Sequence, residues 1–321
     1  MRKYILLLII MAIGSGLLKA QEKPLKSNQK MEKKSTTLRL IYPQWQGGII
    51  THYFPDLPAD DASRGYYLGA HLLNFLAPDN GQKTIEVPVS LDPNDRATEN
   101  GVSARNIIIK QSKAALDLLN DNKPERIITL GGDCAVSVVP FTYLAAKYPG
   151  DVAIVWIDAH PDLTLPYDGY EGYHAMALAA CFGRGDEEII KILPGKVEPP
   201  KAILIGLRDE DKKIQARQKE WGVMGLTPAE VADNSSALME WLKNTGASKV
   251  VIHFDLDVLE PTEMRAAVGN DPNGMRIAEV LRVINDIAAE YDVVGLTVAE
   301  PLPQIAIKIK NMLSGLPLLD E

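Results

Sequence analysis

The chain has 321 residues, 46% hydrophobic and 24% charged, enough for one large α/β domain or two small ones with an ample core, and its two cysteines are too few for a disulfide framework. The formal net charge of −8 is uneven: residues 1–34 carry eight Lys/Arg against two Glu, a net of +6, which leaves −14 (−8 minus +6) on the rest. An acidic body argues against nucleic acid as a partner and favours a small cationic one.

Arg2 and Lys3 precede an uncharged, mostly apolar run from Tyr4 to Leu18, and Leu18-Lys19-Ala20 resembles a small-residue cleavage site before Gln21. This is the layout of a secretory signal peptide over residues 1–20, implying export to the periplasm or the outside. A retained membrane anchor is the alternative, although the run is shorter than the roughly 20 apolar residues of a spanning helix. No other segment could span a membrane. Residues 21–36, Lys-rich and without aromatics, read as a flexible, solvated linker.

From residue 37 onward apolar runs alternate with helical patterns. Strands are expected at Leu38–Tyr42, Thr84–Val89, Arg126–Leu130, Val152–Ile157, Ala202–Leu207, Lys249–Phe254 and Val293–Val298. Helices are expected at Ala62–Phe75, Ala104–Leu119, Val136–Lys147, Asp209–Trp221, Pro228–Lys243, Arg276–Glu290 and Ile305–Leu313, with Thr227 as an N-cap and Gly246 beyond a C-terminus. That alternation predicts a three-layer α/β/α fold with a mostly parallel central sheet. Pro161–Tyr173, rich in Gly, Pro, Tyr and Asp, reads as a long loop of the functional kind.

Chemistry gathers at strand ends. Val152–Ile157 runs into Asp158, His160 and Asp162, spaced so that all three leave the strand on one side. The run Val250–Phe254 ends in Asp255 and Asp257, and the run Ile127–Leu130 ends in Gly131-Gly132-Asp133-Cys134. Open α/β sheets bind ligands at the carboxyl ends of their strands. Carboxylates this crowded repel one another unless cations neutralise them, and an oxygen-rich set with imidazole suits Mn²⁺-like ions. Asp133 reads as an N-cap or turn residue. Cys134 reads either as a ligand or as a small buried hydrophobe.

Gly-Gly-Asp-Cys134, Asp158-Ala-His160-Pro-Asp162 and Asp255-Leu-Asp257 resemble, in order and spacing, the three metal-binding motifs of the ureohydrolase superfamily, which includes arginase, agmatinase and formimidoylglutamase. The resemblance runs from about Leu38 to Pro301 and makes residues 37–321 a catalytic domain. It implies two divalent ions, bridged by Asp158 and Asp255, with Asp162 and Cys134 completing one shell and His160 and Asp257 the other. It further implies that a hydroxide held between the ions attacks a guanidino or amidino carbon, oriented by Asp162. His174 would protonate the leaving nitrogen, Glu300 would pair with the guanidinium group, and Asp211 would help to bind the substrate's far end or simply start a helix. Relatives of this kind are often trimers or hexamers, so a homo-oligomer is implied.

The chain also departs from that pattern. Cys134 stands where the family has His, and a thiolate shifts preference from Mn²⁺ toward Zn²⁺, Fe²⁺, Co²⁺ or Ni²⁺. Glu260 replaces an Asp, and Ala266–Gly274 replaces a Gly-rich segment. His253 replaces a small residue and reads as support behind the ligands or as a packed core histidine. The loop acids Asp168 and Glu171 suggest a cationic or polar substrate tail, while the loop lacks arginase's small polar residues, which argues against arginine itself. Two other readings stay open: a metal-binding homologue without catalysis, and an amidase-type C–N hydrolase on the same fold.

Overall fold

The computed structural model describes residues 36–50, 53–94, 96–208 and 211–319. The expected signal peptide and all but the last residue of the expected linker lie outside the described residues. No helix among the described residues is long and apolar enough to cross a membrane.

Eight strands form one parallel sheet: β1 Thr37–Tyr42, β2 Lys83–Glu86, β3 Arg126–Gly131, β4 Val152–Ile157, β5 Ala202–Ile205, β6 Met224–Leu226, β7 Lys249–Asp255 and β8 Asp292–Ala299. Their order across the sheet is β2-β1-β3-β8-β7-β4-β5-β6. Both faces are covered. Val152, Ile154 and Trp156 of β4 join one core, while Ala153, Val155 and Ile157 join the other. This double burial is why β4 is a continuous apolar run rather than an alternating one. The first core includes residues of the helices Arg105–Asn122 and Val138–Lys147; the second includes residues of Ser236–Thr245 and Ile277–Glu290.

The three-layer α/β expectation holds, with local differences. The short edge strand β6 was not expected; three residues with a central Gly carry no periodicity. Strand β2 stops at Glu86, short of Pro88, although Val87 still donates to Ile41 O at 2.9 Å. The expected helix 228–243 is two helices, Pro228–Val231 and Ser236–Thr245. Between them Asn234 Oδ1 accepts from Ser236 N at 2.9 Å, the local side-chain bonding that competes with a helix. The Thr227 cap, in a capping box with Glu230, and the left-handed Gly246 are where the sequence puts them. Arg64 likewise divides the expected 62–75 helix into Ala59–Ser63 and Gly65–Leu76.

Candidate metal centre

The four central strands, β3, β8, β7 and β4, end side by side, and their carboxyl ends deliver every motif noted above. Strand β3 turns at Gly131-Gly132 into a short helical turn, Cys134–Ser137. A Cβ on Gly132 would lie 1.8 Å from the Gln44 carbonyl oxygen, so only glycine lets the two backbones approach this closely. Asp133 is the cap of that turn: its carboxylate accepts from Ala135 N at 3.0 Å, Gly47 N at 2.8 Å and Gln44 Nε2 at 3.2 Å. It belongs to none of the groups of facing ligand atoms and ties the turn that carries Cys134 to Gln44 and Gly47.

Asp158 is buried, with Oδ1 accepting from His160 N at 2.6 Å and Oδ2 from Trp156 Nε1 at 2.9 Å. His160 Nδ1 lies 3.0 Å from Asp257 Oδ2 and 3.6 Å from Asp158 Oδ1. Asp162 sits at φ 49°, a conformation rare outside glycine, and its buried Oδ2 has no hydrogen-bond partner. Asp255 Oδ1 accepts from Asp257 N at 2.6 Å, and its Oδ2 faces Cys134 Sγ at 3.0 Å. Among the described residues three groups of potential ligand atoms lie within 4.8 Å of one another: Cys134, Asp158, Asp162 and His253; Asp158, His160 and Asp257; and Cys134, His174 and Glu300. Asp158 links the first two and Cys134 the first and third; Asp255, the other expected bridge, adjoins the first through Cys134 without belonging to any of them. The buried orphan oxygen of Asp162 and the acid-rich donor set fit divalent cations.

Above this floor Glu300 projects from the end of β8 at φ 62°. Its Oε2 accepts from Tyr66 OH, and its Oε1 from Cys134 N at 3.0 Å. His174 Nδ1 is 3.3 Å from the same Oε1, while His174 Nε2 is 2.8 Å from Tyr170 OH. A cavity of about 620 Å³ opens over Cys134, His160, Asp162, Asp255, Asp257 and Glu300, walled by Ile50, Tyr53, Ile214 and Val268. Gly269 closes one side; a Cβ there would meet Asp257 Oδ2 at 2.8 Å, so a glycine survives in the altered loop where it packs on a candidate ligand. Glu260 staples that loop, accepting from Thr262 Oγ1 at 2.8 Å and Gly274 N at 3.0 Å.

Asp211 lines the cavity, but its carboxylate caps the helix Lys212–Trp221, accepting from Lys213 N at 2.8 Å and Ile214 N at 3.1 Å. The reading of Asp168 and Glu171 as substrate-facing acids is corrected. Asp168 is held by Arg217 and by Lys213 Nζ at 2.7 Å, and Glu171 accepts from Thr98 Oγ1 at 3.0 Å; neither lines the cavity. They brace the loop. Tyr66, Tyr170 and Trp156, which position Glu300, His174 and Asp158, escaped sequence reading, because a tyrosine or tryptophan in an apolar pattern carries no mark of what its polar end touches.

Burial and crowding raise three of the candidate ligand acids here, whereas at Asp257 burial is outweighed by His160, which holds it down at about 2. Burial, then Asp257, raises Asp158 to about 6; burial with neighbouring carboxylates raises Asp162 and Asp255 well above the usual range. Burial also disfavours a charged His174, but Tyr170, Glu300 and Asp162 outweigh it and favour the imidazolium. An acid raised in the folded state stabilises the fold fully below its unfolded value, near 3.8, and that contribution is lost as pH rises through the folded value. Bound cations need the ionised form and reverse this. The gain in melting temperature on adding divalent metal to chelator-treated protein should therefore grow as pH rises through about 6. An equal gain at pH 5 and pH 8, read by differential scanning fluorimetry, would refute the coupling.

Comparison with known proteins identifies the family and the fold. Over 145 residues the chain is 29% identical to the arginase of Staphylococcus aureus strain COL, a match covering 42% of this chain and only 47% of that enzyme. It is 24% identical to the Entamoeba histolytica arginase over 254 residues, 76% of this chain and 84% of that one. The crystal structure of the Entamoeba enzyme in complex with L-ornithine superposes with a TM-score of 0.67 at 19% identity, covering 87% of this chain and 94% of that one. The Streptomyces clavuligerus proclavaminate amidino hydrolase shares the fold at a TM-score of 0.57 and 19% identity, over 84% of each chain. The model of the Arginase family matches residues 80–315, and this chain belongs to that family.

Proposed function

We propose that the protein is a binuclear metal-dependent hydrolase that cleaves a C–N bond of a guanidino or amidino compound. The observation that carries this is the buried Asp158, which stands in two of the groups of facing ligand atoms beneath a cavity that also presents His174 and Glu300. Cys134, Asp158, Asp162 and Asp255 would hold one ion, and His160 and Asp257 would join Asp158 around the other. When bound, two such ions make water nucleophilic at neutral pH and draw electron density from the amidino group.

The chain's own groups do the rest. Glu300 Oε2 keeps a lone pair after Tyr66 OH is served and can accept from a planar cation, while Oε1 already faces Cys134 N, Cys134 Sγ and His174 Nδ1. The unpartnered Oδ2 of Asp162 is placed to accept a proton from the attacking water. His174, next to Glu300 and to Tyr170 OH, supplies a proton to the departing nitrogen as the C–N bond breaks. The water's oxygen ends on carbon and its hydrogen on nitrogen. The walls mix apolar Ile50, Tyr53, Ile214 and Val268 with Asp211 and Asp271, which suits a tail with an apolar stem and a polar or cationic end.

Purified protein should contain two divalent ions and release urea or a related amide from members of a guanidino and amidino panel. His174→Ala and Glu300→Gln should keep both ions and lose about 10²–10⁴ in kcat, the range for a general acid. Two bound ions with no turnover on any panel member would sink the proposal.

A further inference from the structure

We infer that His253 is a metal ligand, joining Cys134, Asp158, Asp162 and the adjacent Asp255 around one of the two ions. This rests on the two-ion reading above and changes what one ion must be. His253 is wholly buried on β7, one residue pair below Asp255 on the same face. Its ring stacks on Trp156, its partner across the β4–β7 register, with centroids 3.7 Å apart and planes within 11°. Nδ1 lies 2.8 Å from Ser137 Oγ, on the same short turn that carries Cys134. The other ring nitrogen, Nε2, has no hydrogen-bond partner at all and lies 3.9 Å from Asp158 Oδ2.

A buried imidazole nitrogen with no partner is costly in a merely structural histidine. A nitrogen of this ring lies within 4.8 Å of ligand atoms of Cys134, Asp158 and Asp162, and Nε2 is the one 3.9 Å from Asp158 Oδ2. An Nδ1–H donated to Ser137 would leave the Nε2 lone pair on that cluster, the arrangement in which a second partner orients a ligating ring. A donor set that includes sulfur and nitrogen would favour Zn²⁺, Co²⁺ or Fe²⁺ over Mn²⁺. The thiol proton is released to solvent as the metal–sulfur bond forms. The second group, Asp158, His160 and Asp257, has three donors, and His160 is 45% exposed toward the cavity. The centre would thus be asymmetric: one ion deeper and held partly by sulfur, the other beside the cavity. Both unusual residues, Cys134 and His253, then belong to a single change, an imidazole moved from one wall of the site to another.

The test uses the full chain reconstituted with Zn²⁺ or Co²⁺. X-ray absorption of the two-zinc protein should show a sulfur at about 2.3 Å and an average of one imidazole per ion at about 2.0–2.1 Å. It should show half an imidazole per ion if His160 alone ligates. Competition titration should give Zn²⁺ at least 10-fold tighter than Mn²⁺ at the deeper site. His253→Gln should lower zinc affinity there by about 10–100-fold and weaken the cobalt visible bands, and Cys134→Ser should remove the sulfur-to-cobalt absorption. Two ions bound with unchanged spectra and affinity in His253→Gln would overturn the inference and leave the two-ion reading standing. Wild-type protein that takes up no second ion would overturn both. The wild-type absorption data decide the matter even if the buried substitution fails to fold.

Discussion

Asp158→Asn is expected to bind fewer than two ions per chain and to lose more than 100-fold in turnover. The side chain faces both clusters assigned to the two ions, so its charge is counted twice. An amide is neutral, and its NH₂ would turn a donor toward either Trp156 Nε1 or His160 N, which already donate to the two carboxylate oxygens. Changes to groups that only support a ligand typically cost about 10–100-fold, so the shared ligand itself should cost more than that range. Metal content by mass spectrometry and kcat/KM on the best panel substrate check it together. Two ions retained with turnover within about ten-fold of wild type would show that the ions are not coupled through this residue.

The largest stability effect is expected far from the chemistry, at Arg105→Ala. Arg105 and Asp186 are both buried and bond in fork geometry, Nε to Oδ2 at 2.8 Å and Nη2 to Oδ1 at 3.0 Å. Asp186 at the same time caps the helix Glu187–Ile192, accepting from Glu188 N and Ile189 N at 3.1 Å each. The pair thus clamps the start of helix Arg105–Asn122 to the segment after the His174 loop. Removing the guanidinium leaves a buried carboxylate with no cation, a loss of about 3–5 kcal/mol. Denaturant melts should show a lower midpoint at an unchanged slope. A loss under about 1 kcal/mol would mean that water reaches Asp186 and replaces the arginine.

The site was legible where chemistry and periodicity coincide. Val152–Ile157 announces itself as a strand because both faces are buried, and Asp158, His160 and Asp162 follow at a spacing only a strand end makes useful. Glu300 was legible through its motif, but not its setting: the phenol that holds it comes from Tyr66, 234 residues away, by a contact no local pattern encodes. Asp168 and Glu171 misled because an acid in a loop looks the same whether it faces a ligand or an arginine on a later helix. His253 was ambiguous for the same reason, since burial alone fits a packed ring and a ligand equally. Strand order was the largest gap. Alternation of strands and helices implies a parallel sheet but does not say which strand lies beside which.

That order has a consequence for synthesis. Strand β8, the last to be made, lies between β3 and β7 in the middle of the sheet. Until residues 292–299 leave the ribosome, β2-β1-β3 and β7-β4-β5-β6 have no strand in common, and each offers an unpaired edge. A nascent or C-terminally shortened chain is therefore two separate half-sheets prone to find the wrong partner, not one sheet lacking a fringe. The residue that follows immediately is Glu300. Closing the seam and seating the group proposed to hold the substrate are one event, so a chain in which the seam stays open would also lack the proposed substrate grip.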